Sequence, residues 1–112
     1  MNVFPRTVRN YVSPQGRVPF EDWLQSLRDR KAQAIIRNRI NRVRLGNTGD
    51  AEPVGEGGFE LRIHYGPGFR VYYGELERVV VILLCGGTKR SQRRDIERAK
   101  MYWQDLRSRS HD

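Results

Sequence analysis

Apolar and polar positions in this chain recur with two periods, and the clearest stretch is ELRIHYGPGFRVYYG at residues 60–74. Successive side chains of a strand point to opposite faces, so Leu61, Ile63 and Tyr65 share one face and Glu60, Arg62 and His64 the other. Gly66-Pro67-Gly68 interrupts with turn-forming residues. The alternation then resumes, with Phe69, Val71 and Tyr73 continuing the apolar set and Arg70 and Tyr72 the polar one. The pattern predicts a β-hairpin with its loop at 66–68. Tyr65 would pair with Phe69, Ile63 with Val71 and His64 with Arg70, and Tyr72 would lie across from Arg62. Both strands then agree on which face is core.

Residues 3–12 read as a short first strand, placed at a sheet edge because Pro5 cannot donate to a ladder. Pro19 opens a helical segment in which Phe20, Trp23, Leu24 and Leu27 form one stripe. That stripe lapses around 28–31, and Ile36, Ile40 and Val43 begin a second one that ends near Gly46. Residues 46–58 (GNTGDAEPVGEGG) are polar and glycine-rich, which predicts an exposed loop. VVVILLC at 79–85 is an unbroken apolar run, suited to a central strand covered on both faces. A last helix carries Ile96, Ala99, Trp103 and Leu106. The order β-α-α-β-β-β-α implies an α+β fold with a small mixed, twisted sheet of about four strands and helices on one side. The other face would then carry Glu60, Arg62, His64, Arg70 and Tyr72.

The chain has 112 residues, which predicts a single domain over 1–112 with a disordered tail at about 107–112. With 21 Lys+Arg against 13 Asp+Glu the formal charge is +8. A diffuse positive field of this kind favours a polyanion, nucleic acid first. One cysteine, Cys85, can build neither a disulfide framework nor a zinc site, and at the end of an apolar run it reads as a small buried side chain. The N-terminus has no apolar signal-peptide core and no run approaches a membrane span, so the expected location is the cytoplasm.

Two arginines on one sheet face can cradle a phosphate, since the guanidinium is a planar fork matched to phosphate oxygens. Tyr72 beside them could stack an unpaired base. The plainer alternative is a solvated face on which Glu60, Arg62 and Arg70 pair with each other. In GGTKRSQRRD (86–95), Lys89, Arg90, Arg93 and Arg94 follow the central strand, with glycines that could let backbone approach a ligand and a helix start near Ser91. The spacing is not that of a P-loop, which argues against nucleoside triphosphates. His64 has the near-neutral pKa of an acid/base group and would lie beside two arginines. His111 belongs to the tail. No His, Cys or acidic cluster has metal-ligand spacing, so neither a metal nor another cofactor is expected. On the second helix Arg37, Arg39, Arg42 and Arg44 fall away from the apolar stripe, as a solvated face or as a contact for ribosomal RNA or an acidic partner.

The hairpin ELRIHYGPGFRVYY, the strand and turn VVVILLCGGTKRSQ, the closing DIERAKMYW and the early PFEDWLQSL together resemble the RelE/ParE superfamily of bacterial toxins. The closest likeness is to its HigB-like addiction-module killer proteins, the phage Gp49-like branch, over residues 3–106. The resemblance implies a small twisted sheet flanked by helices on one side, with the active site on the sheet. It implies a type II toxin that cuts mRNA on the ribosome without a metal and is neutralised by a cognate antitoxin, often a helix-turn-helix protein. DNA would be met only through the antitoxin complex. Arg70 matches the phosphate-binding arginine of the nuclease members, and Arg62 falls where basic or acidic catalytic groups stand, beside Glu60. Lys89 takes the basic position after the central strand. Where several nucleases end on a catalytic or stacking Tyr or His, this chain continues into a helix, with Tyr102 a loose match. The resulting expectation is an endoribonuclease using Arg62, Arg70, Lys89 and either Glu60 or His64 as base, with Tyr72, Arg90, Arg93 and Arg94 on RNA. The competing expectation is a non-catalytic ParE-like toxin that blocks DNA gyrase through the helices at 20–44.

Overall fold

The computed structural model describes residues 4–109. One five-stranded sheet runs in the order β1-β5-β4-β3-β2. Its strands are β1 (Thr7–Asn10), β2 (Ala51–Gly55), β3 (Gly58–Ile63), β4 (Phe69–Leu76) and β5 (Val80–Thr88). β1 lies parallel to β5, and the remaining neighbours are antiparallel. The first strand is an edge, as Pro5 implied, but it is shorter than the 3–12 span, of which residue 3 lies outside the described residues. The α+β class and mixed sheet stand, with a fifth strand that the Gly/Pro composition of 46–58 concealed. β2 occupies the other edge, where Pro53 costs no ladder bond inside the sheet.

Helix α1 (Pro19–Ser26) begins with proline at its first turn and carries Glu21 and Asp22 there, which suits the positive end of the helix dipole. The lapse at 28–31 is a helix boundary. Asp29 caps α2 (Arg30–Arg44), its carboxylate accepting from the Lys31 and Ala32 amides at 2.9 and 3.1 Å. Phe20 and Leu24 of α1 and Ile36, Ile40 and Val43 of α2 bury against Leu61, Ile63, Phe69, Val71, Val81 and Leu83 on one face of the sheet.

The helices are not all on that side. α3 (Gln92–Arg109) covers the opposite face, where Ala99 and Trp103 bury with Tyr11, Tyr72, Ile82, Leu84 and Cys85. The face expected to be open is therefore a second core. A β-bulge on β5 helps: Tyr72 pairs with Cys85 and Tyr73 with Leu83, so Leu84 is the extra residue. Leu84 and Cys85 consequently both turn toward α3, and beyond them Gly86 faces Trp23 of α1 while Gly87 faces Asp95 of α3. α3 also runs on to Arg109, so residues 107–109 of the expected tail are helical, and the rest of the tail, His111 included, lies outside the described residues. No helix among the described residues is long and apolar enough to cross a membrane.

The hairpin keeps its predicted faces but changes register. Arg62 pairs with Arg70, Ile63 with Phe69 and Glu60 with Tyr72. The loop is 64–68 rather than 66–68, a shift of two residues, which preserves the facing because the side-chain period is two. Tyr65 leaves the ladder because its hydroxyl reaches Asp29 Oδ2 at 3.0 Å, while Lys31 sits over its ring.

Candidate functional site

At the hairpin-loop end of the sheet, three neighbouring strand ends each deliver a cation. Arg62 and Arg70 face each other across β3 and β4. Phe69 pairs with Thr88, and the Lys89 amide donates to the Gly68 carbonyl at 2.8 Å, which brings Lys89 beside Arg70. A methyl group placed on Gly68 would lie 3.6 Å from both Arg70 Nη1 and Lys89 Cβ. The structure thus brings together Arg62, Arg70 and Lys89, three residues singled out from the sequence.

Beneath them is a buried carboxylate. Glu60 is 1% exposed. Its Oε1 accepts from Arg62 Nε at 2.9 Å, and its Oε2 accepts from the Tyr72 hydroxyl at 3.0 Å and from Gln92 Nε2 at 2.7 Å. Arg70 Nε lies 3.9 Å from Oε1, an ion pair beyond hydrogen-bond length, and is buried with no hydrogen-bond partner among the described residues. Burial pushes the Glu60 pKa up, but hydrogen bonds from Gln92, Arg62 and Tyr72 outweigh it and hold the carboxyl below its usual range. Glu60 is therefore an acceptor with its oxygens occupied. Burial, followed by the Glu60 charge, raises the Tyr72 pKa, so the hydroxyl stays protonated and donates. The expected stacking platform is corrected here: the Tyr72 ring is 0% exposed under α3 and offers no surface to a base. Gln92, which no motif marked, is the third donor.

His64 stands outside the ladder, exposed, with Nε2 2.6 Å from Asp50 Oδ2. The hydrogen bond from His64 is the main cause that holds the Asp50 pKa below the usual carboxylate range, against a smaller opposing effect of burial. An imidazole oriented by a carboxylate is an arrangement suited to moving a proton. Asp50 was invisible in the sequence because it sits in the segment read as loop.

After β5, a single 3₁₀ turn (Lys89–Ser91) leads into α3, close to the predicted helix start. Arg90, Arg93 and Arg94 are exposed and line a shallow cavity with Thr88, Ser91 and Glu97. Gly86 and Gly87 lie within β5 and make room for Trp23 and Asp95, not for a ligand. Ser91 donates to Asp95, whose backbone carbonyl accepts from Cys85 Sγ at 3.7 Å. Burial, with Asp95 nearby, pushes the Cys85 thiol up to about 12, so it is an inert core group. Tyr102, on α3 and partly buried, stacks on the buried Tyr11 at 4.9 Å between ring centroids, at the margin of the second core. Among the described residues no group of three or more His, Cys, Asp or Glu is placed to hold a metal ion.

Fold and site together define a small α+β protein with a cationic sheet end built over a buried carboxylate. No family model matches the chain. A protein of Haemophilus influenzae, described as an uncharacterized protein, is 48% identical to it over 87 residues, which span 78% of this chain and 88% of that protein. The chain belongs to the same family as that H. influenzae protein.

Proposed function

We propose that this protein is a HigB-like toxin of the RelE/ParE superfamily, the toxin half of a type II toxin–antitoxin pair, acting as a metal-independent endonuclease on ribosome-bound mRNA. The observation that supports this reading is the convergence of Arg62, Arg70 and Lys89 at one sheet end, next to the His64–Asp50 pair. Cleavage of RNA without a metal needs a base for the 2′-hydroxyl, positive charge for the phosphorane and a proton for the leaving oxygen. Because the oxygens of Glu60 are occupied, His64 takes the base role. It removes the 2′-hydroxyl proton, the 2′-oxygen bonds to phosphorus, and the bond to the 5′-oxygen breaks. Arg62 and Arg70 stabilise the added charge, and Lys89, the exposed cation, supplies the proton to the 5′-oxygen. Arg90, Arg93 and Arg94 hold flanking phosphates, and the ribosome presents the substrate strand. A cognate antitoxin, most simply a helix-turn-helix protein encoded beside it, neutralises the toxin.

Burial of Glu60 and Tyr72 under α3 favours a second reading, a non-catalytic ParE-like inhibitor of DNA gyrase. One experiment separates the two. Induction in a bacterium should arrest growth and create new mRNA 5′ ends within translated codons, and those ends should vanish when translation initiation is blocked. Gyrase-linked DNA breaks with intact mRNA would favour the second reading. Equal cutting of naked RNA would refute ribosome dependence.

A further inference from the structure

Past its first turn, α2 carries four arginines, which divide between two sides of the molecule. Arg37 pairs with Glu21, and Arg44 donates to Asn41 Oδ1 at 2.9 Å. Both line a groove beside β1. Arg39 and Arg42 turn the other way, into a cavity of about 470 Å³ between α2, the 46–50 segment and the end of β3, where they meet Asn47, Arg62, His64 and Tyr65. Arg39 donates to the carbonyls of Thr48, Asp50 and Arg62, at 2.7, 3.4 and 3.4 Å. Gly49 permits this fit, because the Arg39 guanidinium occupies the space a side chain there would fill. Carbonyls satisfy the donors of a guanidinium but bring no full negative charge to it. Asp50 is the one carboxylate among the residues lining the cavity, and it is engaged by His64. Burial, then repulsion from Arg42, lowers the Arg39 pKa and outweighs the attraction of Asp50, so the two cations feel one another. Arg42 is exposed and free of any side-chain partner among the described residues.

We infer that this cavity is a second anion site, which takes a backbone phosphate of an RNA strand between Arg42 and Arg39. A phosphodiester brings the charge that the neutral carbonyls do not, and its oxygens match the Arg42 fork. Arg62 lines the cavity and also belongs to the cationic sheet end, so the two sites are continuous and a single strand can run from one to the other. The inference rests on the proposed function for the identity of the strand, but its test needs no cleavage.

Binding of a short fluorescein-labelled single-stranded RNA to the full chain is followed by anisotropy across a salt series. Arg42→Ala should weaken binding and reduce the slope of log K against log salt by about 0.7, the value for one phosphate contact on a single strand. Arg37→Ala, on the other side of α2, should leave the slope unchanged. Arg42→Lys should keep the slope while losing part of the affinity, because it retains the charge without the fork. Unchanged affinity and slope in Arg42→Ala, or no RNA binding by the parental chain, would overturn the inference. So would a polyglutamate peptide that binds more tightly than RNA with the same dependence on Arg42, which would mark a surface for an acidic protein. Arg42-dependent RNA binding by a protein that cuts no mRNA would retain this site and refute the nuclease.

Discussion

Replacing Glu60 by glutamine should destabilise the fold by about 3 kcal/mol at neutral pH. The amide is nearly the same size, so the loss is polar. Its oxygen can keep the Tyr72 and Gln92 hydrogen bonds at the Oε2 position, but its NH2 group must then face Arg62 Nε, donor against donor. The Arg70 side chain, 8% exposed, keeps its charge in the protein without an anion beside it. Removing one partner of a buried pair costs about 3–5 kcal/mol. The low end applies because the Arg62 side chain, 34% exposed, can turn to water. Tyr72→Phe removes one hydrogen bond to a charged group and should cost about 1.5 kcal/mol. Urea unfolding followed by tryptophan fluorescence reads both. With m near 1.5 kcal/mol/M, the Glu60→Gln midpoint should fall by about 2 M. The folded pKa of Glu60 is depressed, so its contribution is fully present above the ordinary glutamate value of 4.5 and is lost as pH falls through the folded value. The gap between parent and variant should therefore narrow in acid below about 4.5. A loss under about 1 kcal/mol at pH 7, or a gap independent of pH, would refute the view that the carboxylate is the ionic centre of this layer.

Gly86→Ala would drive a methyl group into the Trp23 ring and should cost about 2–3 kcal/mol, seen as a lower urea midpoint; a parental midpoint would show that Trp23 does not pack on that strand. Cys85→Ala should cost about 1–2 kcal/mol and, under the proposed function, leave toxicity on induction intact, because the thiol is buried and held protonated. Loss of toxicity in a folded Cys85→Ala protein would overturn its assignment to the core.

The helices were legible because Phe20, Leu24, Ile36, Ile40, Val43, Ala99 and Trp103 recur on stripes that do bury. The facing of β3 and β4 was legible for the same reason. β2 was not, since Ala51, Pro53, Val54 and Gly55 at a sheet edge carry too little apolar alternation to stand out from a loop. The open face was the larger miss, although one signal for its cover was present. VVVILLC is apolar on both sides, which requires cover on both, and helices on a single side cannot supply it. The stripe on α3 is that cover, but a stripe does not say which face of a sheet it meets. Of the candidate site, Arg62, Arg70 and Lys89 could be found because strand periodicity and chain order bring them to one end. Asp50 and Gln92 could not, because each reaches its partner from a distant segment, 14 residues from His64 and 32 from Glu60.

The most direct test of the proposed function is the single-turnover rate of mRNA cleavage in programmed ribosomes, compared between the parental protein and Lys89→Met. Lys89 is exposed and makes no side-chain hydrogen bond among the described residues, so methionine removes the charge while sparing the fold. The parental protein should cut within a codon on the ribosome, and Lys89→Met should be slower by about 10²- to 10³-fold, the loss typical of removing one preorganised electrostatic group. No cleavage by the parental protein, or a parental rate in Lys89→Met, would contradict a catalytic site at the cationic end of the sheet.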